Sequence, residues 1–365
     1  MSPAANRMKR RAVLFTAPGA VEVCTEEMAP PQGDELLIET VVSAISAGTE
    51  MLFYRGQVPA GMAADSSIAG MTDEVRYPLK YGYACVGRIC ESPGPLVRQA
   101  ETTEADGPVD AAGKENNRYY FAFHPHESHF CASPQALLPV PEGIPPQQAA
   151  LLPNAETAVN LVMDGAPLVG ERAVVMGLGI VGLLTTALLA QFPLAALIAV
   201  DPLPQRRRLA LRLGASQAID PGGADGPATL QEALTDAGEG HGADLIYELS
   251  GQPAALDAAV STASFDSRIV VGSWYGTKAA ALQLGGSFHR NRVRLISSQV
   301  STIAPQLRGR WTKARRMESA WQLLAKLPAE ELSSHRFPLE QAAEAYSLID
   351  SCPEQTLQVI LNYGF

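Results

Sequence analysis

The residues whose spacing best suits a chemical task are Gly177, Gly179 and Gly182, in the run Gly177-Leu178-Gly179-Ile180-Val181-Gly182, with Asp201 standing 19 residues beyond the last glycine. Ala173-Val174-Val175-Met176 precede the run, and a helix-length apolar stretch, 181–191, follows it. A strand that turns sharply into a helix offers backbone N–H groups and the positive end of the helix dipole to an anion. Gly177 then permits the tight turn, Gly179 lets a pyrophosphate approach the backbone, and Gly182 lets helix and strand pack closely. Ile180 and Val181 open the helix at the phosphate. Asp201 closes the next strand, 196–200, where a carboxylate accepts from adenosine ribose hydroxyls and repels a 2′-phosphate. The pattern predicts a nicotinamide dinucleotide site favouring NAD over NADP, with Arg206, in Arg206-Arg207-Arg208, weakening that preference. A methyltransferase shares the glycines but usually carries an acid at the strand end, where Met176 stands. Ser250-Gly251 and Gly272-Ser273-Trp274 follow later strand ends, where the nicotinamide half should lie.

A second cluster, His124-Pro125-His126-Glu127-Ser128-His129, tempts a metal reading. In a strand His124 and His126 share a face. A packing or pocket residue is the simpler role for His126, and no metal is expected there.

These groups need elements to hold them. At 365 residues, 47% hydrophobic and 18% charged, the chain suits two folded domains. A formal charge of −10, with no basic stripe evident, argues against a nucleic-acid partner. Five scattered cysteines form no C-x-x-C pair, which suits a reducing cytoplasm. The basic start, with Arg7, Lys9, Arg10 and Arg11, lacks the apolar run of a signal peptide. Residues 173–200 carry no charge, but glycines near the start and Gln191 and Pro193 near the end divide them into strand, helix and strand, so no membrane span is expected.

The first half reads as β-rich, with strands near 12–15, 35–42, 84–89 and 119–123, and a polar surface insertion at 98–118. From about 146 strands and helices alternate, with strands at 173–176, 196–200, 243–249, 267–272 and 293–297. Helices near 314–326 and 339–349 and a strand at 358–361 close the chain. The class is α/β.

Ala47-Gly48-Thr49-Glu50 with Tyr54-Arg55-Gly56, Tyr81-Gly82-Tyr83-Ala84-Cys85-Val86-Gly87, Ala149-Ala150-Leu151-Leu152, the glycine loop, and the closing Ser334-His335-Arg336-Phe337-Pro338-Leu339 together resemble the medium-chain dehydrogenase/reductase superfamily. Ile45-Ser46-Ala47-Gly48-Thr49-Glu50 is similar to the subgroup around bacteriochlorophyllide dehydrogenase. The resemblance implies a GroES-like β-barrel catalytic domain over 1–148, a Rossmann domain over 149–295, and a segment 296–365 rejoining the first domain. It also implies a homodimer in which Rossmann sheet edges pair. Zinc members of the family ligate the metal through a cysteine and a histidine whose places fall here on Ala47 and Tyr83, with the third ligand near Pro153, Asn154 and Glu156. Alanine and tyrosine cannot build such a site, and 91–117 holds no cysteine for a structural zinc lobe.

The resemblance therefore implies a zinc-independent NAD(H) oxidoreductase interconverting a secondary alcohol and a carbonyl on a small metabolite. Tyr83 is the first candidate to polarise the substrate oxygen, with Glu50, Glu156 and His126 as relay or orienting groups. Thr49 and Thr157 are in reach of cofactor or substrate, and Tyr54 and Trp274, with Phe53 and Tyr275, suggest an aromatic pocket for a ring-bearing substrate, a sugar or a polyol. The alternatives are an NADPH-dependent reductase of an activated C=C bond and a non-catalytic NAD(H)-binding protein.

Overall fold

The computed structural model describes residues 8–62, 74–91, 118–223, 226–236 and 242–364, so the insertion expected at 98–118 lies outside the described residues except for Arg118. The chain divides into two compact units. One comprises Met1–Gly56, Ala60–Leu151 and Pro328–Phe365, and the other Gln57–Pro59 and Leu152–Leu327.

The first unit opens with an antiparallel ribbon, β1 (Met8–Ala17) and β2 (Ala20–Met28). The strongly apolar β3 (Leu36–Ile45) pairs with three other strands, and a short helix α1 (Thr49–Tyr54) follows it. Next come β4 (Cys85–Glu91), β5 (Tyr120–Ala122), β6 (His129–Ala132), β7 (Leu138–Pro139) and α2 (Pro146–Ala149). Single backbone bridges at Ala12–Glu127 and Phe15–Leu79 tie the ribbon to the segments that precede β4 and β6.

The second unit begins with α3 (Leu152–Gly165) and then alternates: β8 (Arg172–Met176), α4 (Ile180–Leu189), β9 (Ala196–Val200), α5 (Pro204–Arg212), β10 (Gln217–Ile219), α6 (Gly226–Asp236), β11 (Ala243–Glu248), α7 (Pro253–Thr262), β12 (Ala263–Val271), β13 (Arg294–Ser297) and α8 (Lys313–Leu324). The strands form one parallel sheet ordered β10-β9-β8-β11-β12-β13. That is the doubly wound order, reversing direction between β8 and β11. Every residue of β8 and β9 is buried, as a strand covered on both faces requires. The uncharged stretch 173–200 is thus strand, helix and strand, and among the described residues no helix is long and apolar enough to cross a membrane.

From Pro328 the chain returns to the first unit through α9 (Ala329–Leu332), β14 (His335–Pro338), α10 (Ala342–Ser351) and β15 (Val359–Asn362). The completed sheet runs β14-β15-β3-β4-β5-β7, with β6 also on β3. Val359, Ile360 and Leu361 are 0–1% exposed against β3, so the last strand belongs to the core. The sequence places this return at 296; in the structure α8 stays with the second unit.

Arg316 on α8 explains that later departure. Its side chain is fully buried, and its Nη2 donates to Glu156 Oε1 at 2.7 Å and its Nη1 to Asn160 Oδ1 at 2.5 Å and to the Thr302 carbonyl at 2.9 Å. Nη2 also donates to the carbonyl of Val300. One cation thereby joins α3, α8 and the loop after β13. A buried charge is tolerable only when so fully partnered, and removing one member leaves its mate uncompensated. Arg316→Ala should therefore cost about 3–5 kcal/mol of stability. Urea unfolding followed by far-UV circular dichroism measures this; a loss below about 1 kcal/mol would show that the network is not what holds α8.

Candidate active site

In the second unit the glycine loop is built as its spacing requires. Gly177 has φ +93°, and a Cβ there would lie 2.5 Å from Ser250 Cα and N, so only glycine fits between β8 and the turn after β11. A Cβ on Gly182 would lie 1.9 Å from the Gly177 carbonyl oxygen, so the first turn of α4 rests directly on the loop. A Cβ on Gly179 would meet nothing within 4 Å. Its space is open, as a backbone that receives a ligand demands. Ile180 and Val181 form the first turn of α4 behind it.

Asp201 is buried just past β9. Its Oδ2 accepts from Leu178 N and its Oδ1 from Leu203 N, both at 2.8 Å. One carboxylate therefore ties the glycine loop to the end of the neighbouring strand. Each oxygen keeps a second lone pair for a ribose hydroxyl. Arg206 Nη1 stands 3.9 Å from Asp201 Oδ2, while Arg207 donates to the Asp201 carbonyl and pairs with Asp220. The residues fit a dinucleotide: N–H groups and an open glycine for the pyrophosphate, an acid for the ribose.

The turns expected to hold the nicotinamide half are joined by Glu248, a residue that no motif in the sequence marks. Glu248, fully buried at the end of β11, accepts from Ser250 N at 2.8 Å and Ser250 Oγ at 2.5 Å, and from the Tyr275 hydroxyl. Ser273 Oγ donates to the Glu248 carbonyl at 3.3 Å and accepts from Gly251 N at 2.9 Å. A Cβ on Gly272 would strike Leu161 and Leu249 at 2.6 Å. Burial, then the hydrogen bond and charge of Glu248, push the Tyr275 phenol above its ordinary range, so it stays a donor. The available signal was an acid at the end of the apolar run Leu245-Ile246-Tyr247.

The first unit holds a buried polar chain around Glu50, which is 0% exposed on α1. Glu50 Oε1 accepts from Ser46 N at 2.9 Å, and Oε2 accepts from Tyr346 Oη at 2.5 Å. His126 Nε2 lies 2.9 Å from Oε2, and its Nδ1 lies 2.7 Å from Ser43 Oγ, which lies 2.8 Å from Tyr363 Oη. With the carboxylate as acceptor, His126 donates through Nε2; in a neutral ring Nδ1 then accepts from Ser43, and Ser43 accepts from Tyr363. Burial, then the charge of Glu50, hold the Tyr346 phenol well above its ordinary value, so it too remains a donor.

Tyr83, part-exposed, lies next to this chain of bonds in space. A Cβ on Gly82 (φ +126°) would come within 2.7 Å of the His126 imidazole, so that ring packs against the bend presenting Tyr83. Tyr81, on the other side of the bend, stacks on Phe53 at 3.8 Å and meets Tyr83 edge-on at 6.2 Å. The structure thus brings Tyr83, Glu50 and His126 together within the first unit. Thr49 begins α1 beside them and is part-exposed.

Several expectations change. Glu156 is held by Arg316 within the second unit, so an ion pair accounts for this buried acid. The Thr157 hydroxyl donates to the Pro153 carbonyl one turn back at 2.8 Å, which takes it up locally. Tyr54, expected to line a substrate pocket, is 9% exposed with its ring stacked on Tyr346, and Phe53 is wholly buried against Tyr81; both fill the interior because they lie on the inward side of α1. Trp274 keeps 38% exposure, compatible with a pocket wall. His124 and His126 do not act as a pair. His124 stacks on Phe130 at 3.9 Å, burial lowering its pKa to about 4, whereas His126 turns to Glu50.

The two places that the resemblance gives to zinc ligands hold an alanine and a tyrosine. Ala47 offers no donor, Tyr83 offers only a phenol, and among the described residues no group of three His, Cys, Asp or Glu could hold a metal.

Residues 181–320 match the family described as zinc-binding dehydrogenase. D-guloside 3-dehydrogenase of Escherichia coli (strain K12) is 29% identical over 227 residues, 61% of this chain, and the chain spans 64% of that relative's length. Among solved structures, a short chain alcohol dehydrogenase from E. coli CFT073 complexed with NADH shares the fold at a TM-score of 0.71 and 18% identity, covering 97% of this chain and 99% of that one. A protein from Sinorhizobium meliloti 1021 bound to NADP does so at 0.73 and 15%, covering 98% and 100%. The family match lies within the second unit, and the two solved structures share the fold of the chain.

The two glycines give opposite expectations. Gly179→Ala should leave the unfolding free energy within about 1 kcal/mol yet weaken NADH binding about tenfold or more. Gly182→Ala should cost about 1–3 kcal/mol through overpacking. NADH fluorescence titration and urea denaturation separate these, and equal losses in both variants would refute the division of roles.

Proposed function

We propose that this chain is a zinc-independent, NAD(H)-dependent oxidoreductase that interconverts a secondary alcohol and its carbonyl. The observation that carries this reading is the glycine loop with the Asp201 carboxylate bound to Leu178 N beside an open Gly179. A dinucleotide bound there supplies or takes the hydride. Gly179, Ile180 and Val181 would hold its pyrophosphate, Asp201 its ribose, and the turns clasped by Glu248 its nicotinamide half.

The remaining task is to manage the charge and proton of the substrate oxygen. With no metal donor set, that work falls to a hydrogen-bonding side chain. Tyr83 suits it: its phenol both donates and accepts, and it stands part-exposed on a bend held from beneath by the His126 ring. Glu50 fixes that ring through Nε2, so the carboxylate and imidazole act by positioning. The relative that acts on a guloside by name supports a secondary hydroxyl as the reacting group.

Arg206 favours a second cofactor reading. Its guanidinium beside Asp201 could meet a 2′-phosphate, so NADP and the reduction of an activated C=C bond form the alternative activity. A reducing cytoplasm is the proposed compartment, supported by five cysteines free of disulfides. A homodimer is proposed through β13, the edge strand of its sheet, where Leu295 is 38% exposed.

Tyr83→Phe tests the mechanism. It should lower kcat by about 10²–10⁴-fold, as loss of a general acid–base group does, with NADH affinity unchanged. Steady-state rates on a panel of polyols and their ketones, with NAD and NADP each supplied, provide the measurement. Full turnover by the variant would remove Tyr83 from the chemistry, and strict NADPH dependence would favour the C=C reductase.

A further inference from the structure

The net charge of −10 conceals a segregation. Residues 267–317 contain ten of the 28 lysines and arginines and none of the 38 acids. Some of these cations are already explained. Arg268 pairs with Glu171, Arg316 with Glu156, and Arg294 with Asp266. Arg290 and Arg292 lie just before β13, at the N-terminal ends of the strands, away from the end where a ligand sits in a doubly wound sheet.

The others follow the C-terminal ends of strands, the ends at which a ligand sits in a doubly wound sheet. Lys278 follows β12, and Arg308, Arg310 and Lys313 follow β13 up to the first residue of α8. All four are exposed, and among the described residues none is in an ion pair. Lys278 Nζ donates to the Gly251 carbonyl at 3.0 Å, which sets an ammonium group on the turn assigned to the nicotinamide half. Arg315 lies over the Trp311 ring at 4.2 Å and donates to the Arg310 carbonyl at 2.7 Å, ordering the loop that carries Arg310.

The cofactor's own pyrophosphate accounts for Lys278, which stands on the Gly251 turn beside Ser250 and Gly177, but not for the charges that follow β13. It belongs at the loop after β8, and β13 stands three strands away in the sheet, about 14 Å at the usual strand spacing. That exceeds the Debye length of about 8 Å at physiological salt. We infer that the substrate is an anion: a hydroxy compound carrying a carboxylate or phosphate, whose charge is received by Arg308, Arg310 and Lys313. The inference rests on the dinucleotide reading above and narrows its substrate class. Exposed cations outside ion pairs raise the local concentration of such an anion, in a salt-dependent way, although Lys313 also acts on Glu156.

The test uses the full chain saturated with NADH, so that the pyrophosphate site is filled. Isothermal titration compares D-gluconate and inorganic phosphate with neutral D-glucitol at low and high salt. At least one anion should bind about tenfold more tightly than D-glucitol, weaken as salt rises, and lose about tenfold in affinity in the double variant Arg310→Gln/Lys313→Gln. The unfolding midpoint of that variant, both positions being exposed, verifies that it folds. Equal affinities for anions and D-glucitol, or anion binding untouched by the double variant, would overturn the inference while leaving the cofactor reading intact. Failure of NADH itself to bind would overturn both.

Discussion

A carboxylate without solvent governs the first unit. Glu50 is wholly buried, and an ionised group in that position is destabilising by several kcal/mol unless its lone pairs are filled. They are filled from three directions: a backbone N–H at Ser46, an imidazole at His126 and a phenol at Tyr346. Those donors come from the loop after β3, the segment before β6 and the returning helix α10. The last is 296 residues away in sequence. The return of the chain after Pro328 is therefore a chemical requirement as well as a packing one. Without Tyr346 the carboxylate loses a donor, and without β15 the Ser43–Tyr363 contact that continues the chain of bonds is lost. A network this complete is rigid, because every member has its partners. Rigidity matters where the bend at Gly82 leans on His126, since the placement of Tyr83 depends on it.

The second unit solves a related problem with different means. Asp201 and Glu248 are both buried acids at the C-terminal ends of parallel strands, and each accepts backbone N–H groups from the loop that follows a strand. Asp201 joins the loop after β8 to the end of β9, and Glu248 joins the loops after β11 and β12. Loops at the ligand end of such a sheet would otherwise be its least ordered parts. The two carboxylates hold them before any ligand arrives, so less ordering remains to be done on binding.

The features legible in the sequence are those encoded locally. The glycine loop is a matter of consecutive backbone geometry, and its strand, its helix and Asp201 follow at short range; the alternating apolar runs likewise announce the parallel sheet. What the sequence hides is pairing over distance. Glu156 reads as a candidate relay because its partner Arg316 lies 160 residues on. Tyr54 reads as a pocket wall because nothing nearby predicts that Tyr346 will stack on it. Glu248 looks like an ordinary strand-end residue until the loop bearing Tyr275 folds over it. Two histidines at alternate positions suggest a shared face, but the chain leaves extended geometry there and sends them to different partners.

The acid-free stretch 267–317 was fully legible yet concealed by averaging, since a total charge of −10 says nothing about where the charges lie. Its placement gives it meaning. Five strands of the sheet precede β13, and the glycine loop leaves β8, on the other side of β11 and β12. Positive charge set there stands apart from the dipole and N–H groups suited to a pyrophosphate, and under the proposal above it acts on the substrate. A neutral polyol would draw no benefit from it, and the mutual repulsion of the cations would remain as a cost. An anionic substrate turns that repulsion into attraction.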